Sequence, residues 1–242
     1  NIYESISRLL NQAQENELAT LQLLKKCASR WSKEQYFNAF NQVQEYIKAG
    51  DCYQINLTQE FKATAQGTLL SKAEQLWQLT HAPYAGYLKL DDFELLSCSP
   101  ELFIEFQHER KIKTRPIKGT MPRFDDPKQD QASKAKLSNS EKDQAENVMI
   151  VDLLRNDLSV YAETGSVKTT KLFEIESFNQ VHHMVSEITA TLKQDVNPMQ
   201  MLLSALPGGS ITGAPKIRAM QIIEELEGAS RGAYCGSLGY FN

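Results

Sequence analysis

Residues 148–154 are apolar on nearly every side of a helix, with Asp152 as their one charged side chain, and Ser140 stands upstream where such a helix needs a cap. A helix apolar all round belongs inside a protein, so the rest of the chain must supply layers that cover it. Ser32-Lys33-Glu34-Gln35 has the capping-box spacing, and Tyr36, Phe40, Val43 and Ile47 recur at helical intervals. With Gly50 as a C-terminal stop, this predicts an amphipathic helix. Tyr53, Ile55, Leu57 and Phe61 then alternate with Gln54, Asn56, Thr58 and Glu60, the pattern of a strand with one buried face. Further strands are expected over 85–90, 93–97, 102–106 and 111–114, with turns at Asp91-Asp92 and His108-Glu109-Arg110. The polar stretch 123–138 reads as a mobile loop, 166–170 as a short strand. Asn197-Pro198 starts a helix that ends at Pro207-Gly208-Gly209. A last helix from Pro215 is expected to bury Ala219, Met220, Ile223 and Leu226, with a strand over 236–239 beyond it. No βαβ alternation is present, so the class is α+β with mainly antiparallel strands.

Residues 1–30 are polar and helix-prone, and read as a helical connector from a domain upstream, with residues 31–242 as the main domain. That length is enough to bury a core. A net charge of -4 leaves no basic stripe for nucleic acid, and no apolar run reaches the length that spans a bilayer. Asn1-Ile2-Tyr3-Glu4 shows no charged leader followed by an apolar stretch, so a cytoplasmic protein is expected. Cys27, Cys52, Cys98 and Cys235 form no close pair, which favours reduced thiols over a zinc site or a disulfide framework. None of His81, His108, His182 and His183 lies at helical spacing from another histidine or a cysteine, which argues against a transition metal.

Three constellations have residue types that carry chemistry. The loop 207–216 sets three glycines and two hydroxyls before a helix, a backbone able to approach an anion. Gly208 and Gly213 have the glycine spacing of a phosphate loop, but Ala214-Pro215 stands where Lys-Ser/Thr is required, so a carboxylate is the better guest. A tight helix–helix connection with no ligand explains the loop equally well. In the second, Arg115-Pro116-Ile117-Lys118-Gly119-Thr120-Met121-Pro122, the like charge of Arg115 and desolvation would lower the pKa of Lys118 and make it a nucleophile. The plainer alternative is an exposed lysine in a turn. In the third, Asp143 and Glu146 share a face at the start of the buried helix, where a magnesium ion would offset their desolvation. Charge–dipole stabilisation of the helix N-terminus is the alternative.

Six blocks occur in one order: Gly50-Asp51-Cys52-Tyr53-Gln54-Ile55-Asn56-Leu57, Cys98-Ser99-Pro100-Glu101, residues 115–120, residues 143–157 (DQAENVMIVDLLRND), His182-His183-Met184-Val185-Ser186, and residues 207–220 (PGGSITGAPKIRAM). Together they resemble the signature blocks of the chorismate-utilising enzymes, from about residue 33 to the end. That family includes the anthranilate, aminodeoxychorismate, isochorismate and salicylate synthases. The resemblance implies an α+β fold of two stacked, mainly antiparallel sheets flanked by helices, with the active site between them. It implies that residues 31–242 are a chorismate-binding catalytic domain lacking its C-terminal part. In the family that part supplies an arginine, a glycine-rich turn and a second acidic motif for magnesium.

In the Pro-Ile-x-Gly-Thr block, aminodeoxychorismate synthases carry lysine where anthranilate synthases carry alanine, and this chain has Lys118. The resemblance therefore implies magnesium-dependent amination of chorismate at C4, on the way to p-aminobenzoate and folate. Lys118 would attack C2, which redirects the nitrogen to C4. Glu101 matches the general acid and His183 a histidine near the enolpyruvyl group. Gly119, Thr120, Thr212, Gly213 and Ala214 match residues that line the substrate. Glu146 matches a magnesium ligand, with Asp143 touching the ion through water. The implied partners are chorismate and a glutamine amidotransferase subunit that supplies ammonia. Two readings compete: anthranilate synthase component I, against which Lys118 speaks, and a non-catalytic module that binds chorismate or tryptophan.

Overall fold

The computed structural model describes residues 2–12 and 18–241. Residues Ile2–Gln12 form helix α1, in keeping with the helical character expected over 1–30, whereas residues 18–30 are not helical; residues 1 and 13–17 lie outside the described residues. Residues 18–30 run extended and contain β1 (Gln22–Leu23) and β2 (Ala28–Ser29). Backbone partners decide this. β1 pairs with β5 (Ala65–Gln66) and β2 with β4 (Phe61–Lys62), while Leu24 N–H donates to Thr64 O at 2.7 Å. Helix propensity is a weak prior, and these pairings override it.

Helix α2 (Lys33–Ala49) is the expected one, with the capping box closed between Ser32 and Gln35 and Gly50 ending it at φ +81°. It buries Ala39 and Val43, while Phe40 faces solvent. The single strand expected over 53–61 is broken. β3 (Gln54–Ile55) pairs with β13 (Gly213–Ala214), β4 pairs elsewhere, and Tyr53 and Phe61 are both exposed. Between them the Glu227 carboxylate takes the Thr58 N–H at 2.9 Å, where a continuous ladder would place a carbonyl. Helix α3 (Leu70–Thr80) packs on the hairpin of β6 (Tyr84–Lys89) and β7 (Glu94–Ser99), with Trp77 Nε1 donating to Ser97 O at 3.2 Å. β8 (Leu102–Phe106) and β9 (Lys111–Arg115) follow, and both expected turns are present.

The main sheet is ordered about β12 (Val181–Thr191). β10 (Ile117–Pro122) pairs along its first half and β9 along its second, and β11 (Lys168–Ser177) covers its other edge. β8 extends the sheet beyond β9, and every pairing is antiparallel. The α+β class is the expected one. Of the two expected sheets, one is continuous over five strands; the other ladders among the described residues are two-stranded.

Helix α5 (Glu141–Ser159), capped by Ser140, covers this sheet. It is not buried all round: Asn147, Ile150, Val151, Leu154 and Leu158 form one stripe at helical spacing, while Val148 is 46% exposed and Asp152 faces water. That stripe meets Ile112, Ile188 and Ala190 of the sheet and Met201 and Ala205 of α6 (Pro198–Ala205) in one core. The polar stretch expected to be a mobile loop is instead helix α4 (Pro127–Ser138). Asp126 accepts from Lys128 and Gln129 N–H, Pro127 opens the first turn, and Leu137 is fully buried. Asp130 docks α4 on the sheet. Its Oδ1 meets Arg123 Nε at 2.8 Å and the buried His182 Nε2 at 3.0 Å; Arg123 above all holds the carboxyl down to about 2. Helix α7 (Lys216–Glu227) buries Ala219, Ile222, Ile223 and Glu227, whereas Met220, expected inside, is 39% exposed. Residues 229–241 are irregular rather than forming a strand over 236–239, and no helix among the described residues is long and apolar enough to cross a membrane.

One buried polar network sets α5 on β12. Ser186 Oγ donates to Asn147 Oδ1 at 2.5 Å and accepts from Phe173 N–H at 3.2 Å, and Asn147 Nδ2 donates to Met184 O at 3.3 Å. Asn147→Ala orphans the Ser186 hydroxyl and the Met184 carbonyl, and is expected to cost about 1–3 kcal/mol. Asp152→Ala, on the wet face, should stay within about 0.5 kcal/mol. Urea midpoints of the two variants test this, and equal values would show that the network contributes nothing.

Candidate active site

β10 carries a bulge where it matters. Ile117 pairs with Val185 and Thr120 with His183, so three steps on one strand oppose two on the other, and Lys118 and Gly119 fall inside the irregularity. A bulge re-aims side chains. Gly119 has φ +91°, and a Cβ there would stand 2.9 Å from Asp143 Cβ and 3.0 Å from Leu137 Cδ1. The glycine thus lets the strand approach the first turns of α5.

Lys118 is mostly buried in this position. Its Nζ donates to Ser210 O at 2.7 Å and lies 3.8 Å from Glu146 Oε1. Glu146 Oε1 also accepts from Gln54 Nε2 at 2.5 Å, and Gln54 Oε1 is buried with no hydrogen-bond partner. Arg115, expected to act on the lysine as a like charge, is engaged by Glu176 and, at 3.4 Å, by Glu187. The charge at Lys118 is therefore a carboxylate, opposite in sign to the expected one.

Glu101 lies where β8 begins. Its N–H donates to Ser99 Oγ at 3.2 Å, which fixes the turn, and its Oε1 accepts from Ile117 N–H at 3.4 Å. Burial pushes the carboxyl above its ordinary range, against the opposing pull of the Ser210 hydroxyl, Ile117 N–H and the Lys118 charge. This is the environment a general acid needs. His183 stands apart from this group, on β12. Its Nδ1 meets Thr120 Oγ1 at 2.9 Å, the Phe178 ring packs against it at 5.4 Å, and burial lowers its pKa against the pull of Glu176.

Thr212, Gly213 and Ala214 are buried at the root of their loop. Thr212 Oγ1 donates to Gly208 O, and the carbonyls of Thr212 and Ala214 accept from Asn56 and Tyr53 N–H. Gly213 has φ +150°, and a Cβ would fall 2.1 Å from Gln54 O. The loop is held from behind by Arg231, which donates to Ile211 O at 2.9 Å, Asn56 O at 2.7 Å and both oxygens of the buried Glu227. Lys216 closes its other end on Asp157 at 2.5 Å.

The structure thus gathers Lys118, Glu101, Glu146, Asp143 and Gly119 at one place, with Thr120 and His183 farther along the sheet. Two residues at the centre, Ser210 and Gln54, were not among the expected ones, although both lie inside the sequence blocks. Among the described residues no three of His, Cys, Asp and Glu form a metal cluster. Asp143 and Glu146 are hard oxygen donors one helical turn apart beside β10. They suit a magnesium ion, which takes one or two carboxylates and keeps its waters.

A model of the chorismate binding enzyme family matches residues 2–242. The chain is 52% identical over 214 residues to aminodeoxychorismate synthase component 1 of Escherichia coli (strain K12), covering 88% of this chain and 47% of that protein. It is 49% identical over 224 residues to the protein of the same name from Klebsiella aerogenes, covering 93% and 49%. The chain spans about half the length of these curated relatives. Anthranilate synthase component I from Streptococcus pneumoniae superposes with a TM-score of 0.86 at 30% identity, over 98% of this chain and 52% of that one.

The raised pKa of Glu101 makes a prediction about stability. The folded chain binds that proton more tightly than the unfolded one, so stability is lost as pH rises from the ordinary carboxylate range through the raised value. Glu101→Gln has no charge to bury. It is expected to be more stable than the parent at pH 7, by an amount that grows as the carboxyl is pushed further up, and equal near pH ~3. Urea titrations at the two pH values decide it; a variant weaker at pH 7 would mean that the carboxylate is held charged by its partners.

Proposed function

Because the chain belongs to the chorismate-binding enzyme family, we propose that it supplies the catalytic site of an aminodeoxychorismate synthase, which aminates chorismate at C4. The observation that carries this reading is Lys118, mostly buried in the β10 bulge beside the carboxyl of Glu101. Similarity of about half the residues to relatives named aminodeoxychorismate synthase component 1 supports it.

The chemistry follows from the two side chains. Lys118, as the free amine, attacks C2 of chorismate; both conjugated ring double bonds shift toward C4 and the C4–O bond breaks. Glu101 gives its proton to the departing hydroxyl, which leaves as water. Ammonia then adds at C4, both double bonds shift back, and the C2–N bond to Lys118 breaks. The proton released from the new C4 ammonium returns to Glu101. Nitrogen enters at C4 and the enolpyruvyl group stays on the ring, so no pyruvate is formed. His183, neutral at pH 7, offers a hydrogen bond rather than a charge to a neighbouring substrate group. Asp143 and Glu146 would hold a magnesium ion, which when bound neutralises the ring carboxylate and charge on the leaving oxygen. The words "component 1" in the relatives' names agree with a separate subunit, and we assign that partner as the glutaminase that supplies ammonia.

The gene product that carries this chain, given chorismate, ammonium and magnesium, is expected to form 4-amino-4-deoxychorismate without pyruvate. Lys118→Ala should lower the rate at least about a hundredfold, about 2.7 kcal/mol of barrier. Mass spectrometry of the quenched wild-type protein should find a chorismate-derived adduct on the peptide containing Lys118, and chelation of magnesium should stop turnover. Anthranilate and pyruvate as the main products, or full activity in the alanine variant, would overturn the assignment. Chorismate binding with no turnover would favour a non-catalytic module instead.

A further inference from the structure

One carboxylate oxygen at the centre of the site faces two residues. Glu146 Oε1 accepts from Gln54 Nε2 at 2.5 Å and lies 3.8 Å from Lys118 Nζ. The amide is within hydrogen-bond distance and the lysine is not, so Gln54 is the partner that places the carboxylate. Both contacts fall on the same oxygen, which leaves Oε2 for a further partner. We propose that Gln54 is the positioning residue for Glu146, holding its carboxylate at a distance from Lys118 and in the orientation that takes a divalent cation. This rests on the reading of Asp143 and Glu146 as the carboxylates that hold the cation.

The backbone gives Gln54 little freedom. It lies on β3, where it pairs with Ala214 while Ile55 pairs with Gly213. Tyr53 N–H donates to Ala214 O at 2.8 Å and Asn56 N–H to Thr212 O at 2.9 Å, so the chain is tied down on both sides of it. Gly213 lets the two segments touch, since a Cβ there would fall 2.1 Å from Gln54 O. A donor pinned in this way holds its partner without reorganising. The other end of the amide shows which bond dominates. Gln54 Oε1 is buried with no hydrogen-bond partner, whereas Nε2 is paired. An ionised carboxylate only accepts, so the amide must turn Nε2 toward it and leave Oε1 unmet. A buried acceptor left unmet is costly, and here it accompanies the grip on Glu146. The amide is also neutral: it steadies the carboxylate without cancelling the charge that attracts a cation.

Two substitutions isolate the bond. Gln54→Leu keeps the volume of the side chain and removes the donor, and is expected to weaken magnesium binding about tenfold, as loss of a group that orients a metal ligand does. Gln54→Asn keeps the amide but is one methylene too short to reach Glu146, and should weaken binding in the same direction. In turnover Gln54→Leu should need about tenfold more magnesium to reach half its maximal rate, with KM for chorismate within about twofold. In the Glu146→Ala background Gln54→Leu should cost nothing further, since the carboxylate it places is gone.

Measurements that need no turnover separate this role from the assigned reaction. Manganese(II), a hard cation suited to the same oxygen ligands, loses its free electron paramagnetic resonance signal on binding, and calorimetry with magnesium alone gives a second affinity. Both are run on the whole gene product that carries this chain, as wild type, Gln54→Leu, Gln54→Asn, Glu146→Ala and the Gln54→Leu/Glu146→Ala double variant. Weaker binding in both Gln54 variants that vanishes in the Glu146→Ala background supports the positioning role, even in a protein that makes no aminated product. Equal affinity in the wild type and Gln54→Leu, or the same loss with and without Glu146, overturns it and leaves the assignment of the carboxylates standing. A wild type that binds neither ion overturns that assignment and the role of Gln54 together. Should Gln54→Leu fail to fold, Gln54→Asn alone and combined with Glu146→Ala is read by the same titrations.

Discussion

Helix α5 lies along strand β12, and the position of one on the other determines where the core is and where the chemistry sits. Below, Ile150, Val151, Leu154 and Leu158 meet Ile112, Ile188 and Ala190. Each isoleucine, valine or leucine removed from water there contributes roughly 1.5–3 kcal/mol, which holds the two elements together. Burial of this kind has no direction, however, and the buried Asn147–Ser186 pair fixes the rotation of the helix. One turn up from that pair, the same helix brings Asp143 and Glu146 against β10 at Lys118 and Gly119. The glycine is required there because any Cβ would meet Asp143.

Electrostatics then divides labour among the groups gathered at that contact. Glu101 and Glu146 are both glutamates near one lysine, yet their settings differ. Glu101 is driven toward its protonated form by burial, with few donors to oppose it. Glu146 accepts from Gln54 and faces Lys118 Nζ. One carboxyl is suited to give a proton, the other to hold a cation. Two like residues take different roles because their environments differ. Arg115 takes no part, since Glu176 and Glu187 hold it elsewhere.

The loop over this site is rigid because its backbone is claimed from several sides. The 53–58 segment pairs with its root, Arg231 spans Ile211, Asn56 and Glu227, and Lys216 closes on Asp157. Glu227 shows how strong these demands are. Burial alone would raise its pKa, yet Arg231 and the Thr58 N–H outweigh that and hold the carboxylate charged. A buried pair of this kind is sustained only when its remaining donors and acceptors are met.

Much of this was legible in the sequence. The capping box at Ser32, the glycine stop at Gly50, the Ser140 cap, the Asn197-Pro198 start and the hairpin turns act through neighbours a few residues away, and each is present in the structure. The blocks that contain Lys118, Glu101 and Glu146 were legible through their resemblance to the signature blocks of a family. Helix α4 was announced too, by Asp126-Pro127, but its polar surface masked the cap. What the sequence left open depends on groups far along the chain. The strand expected over 53–61 breaks because Thr58 meets a carboxylate 169 residues away. Arg115 is drawn off by a glutamate 61 residues distant, and Lys118 is held by a carbonyl 92 residues distant. Periods and caps are local and can be read in order, whereas strand partners and charge partners are set only when folding brings remote segments within about 4 Å, and that proximity belongs to the tertiary structure.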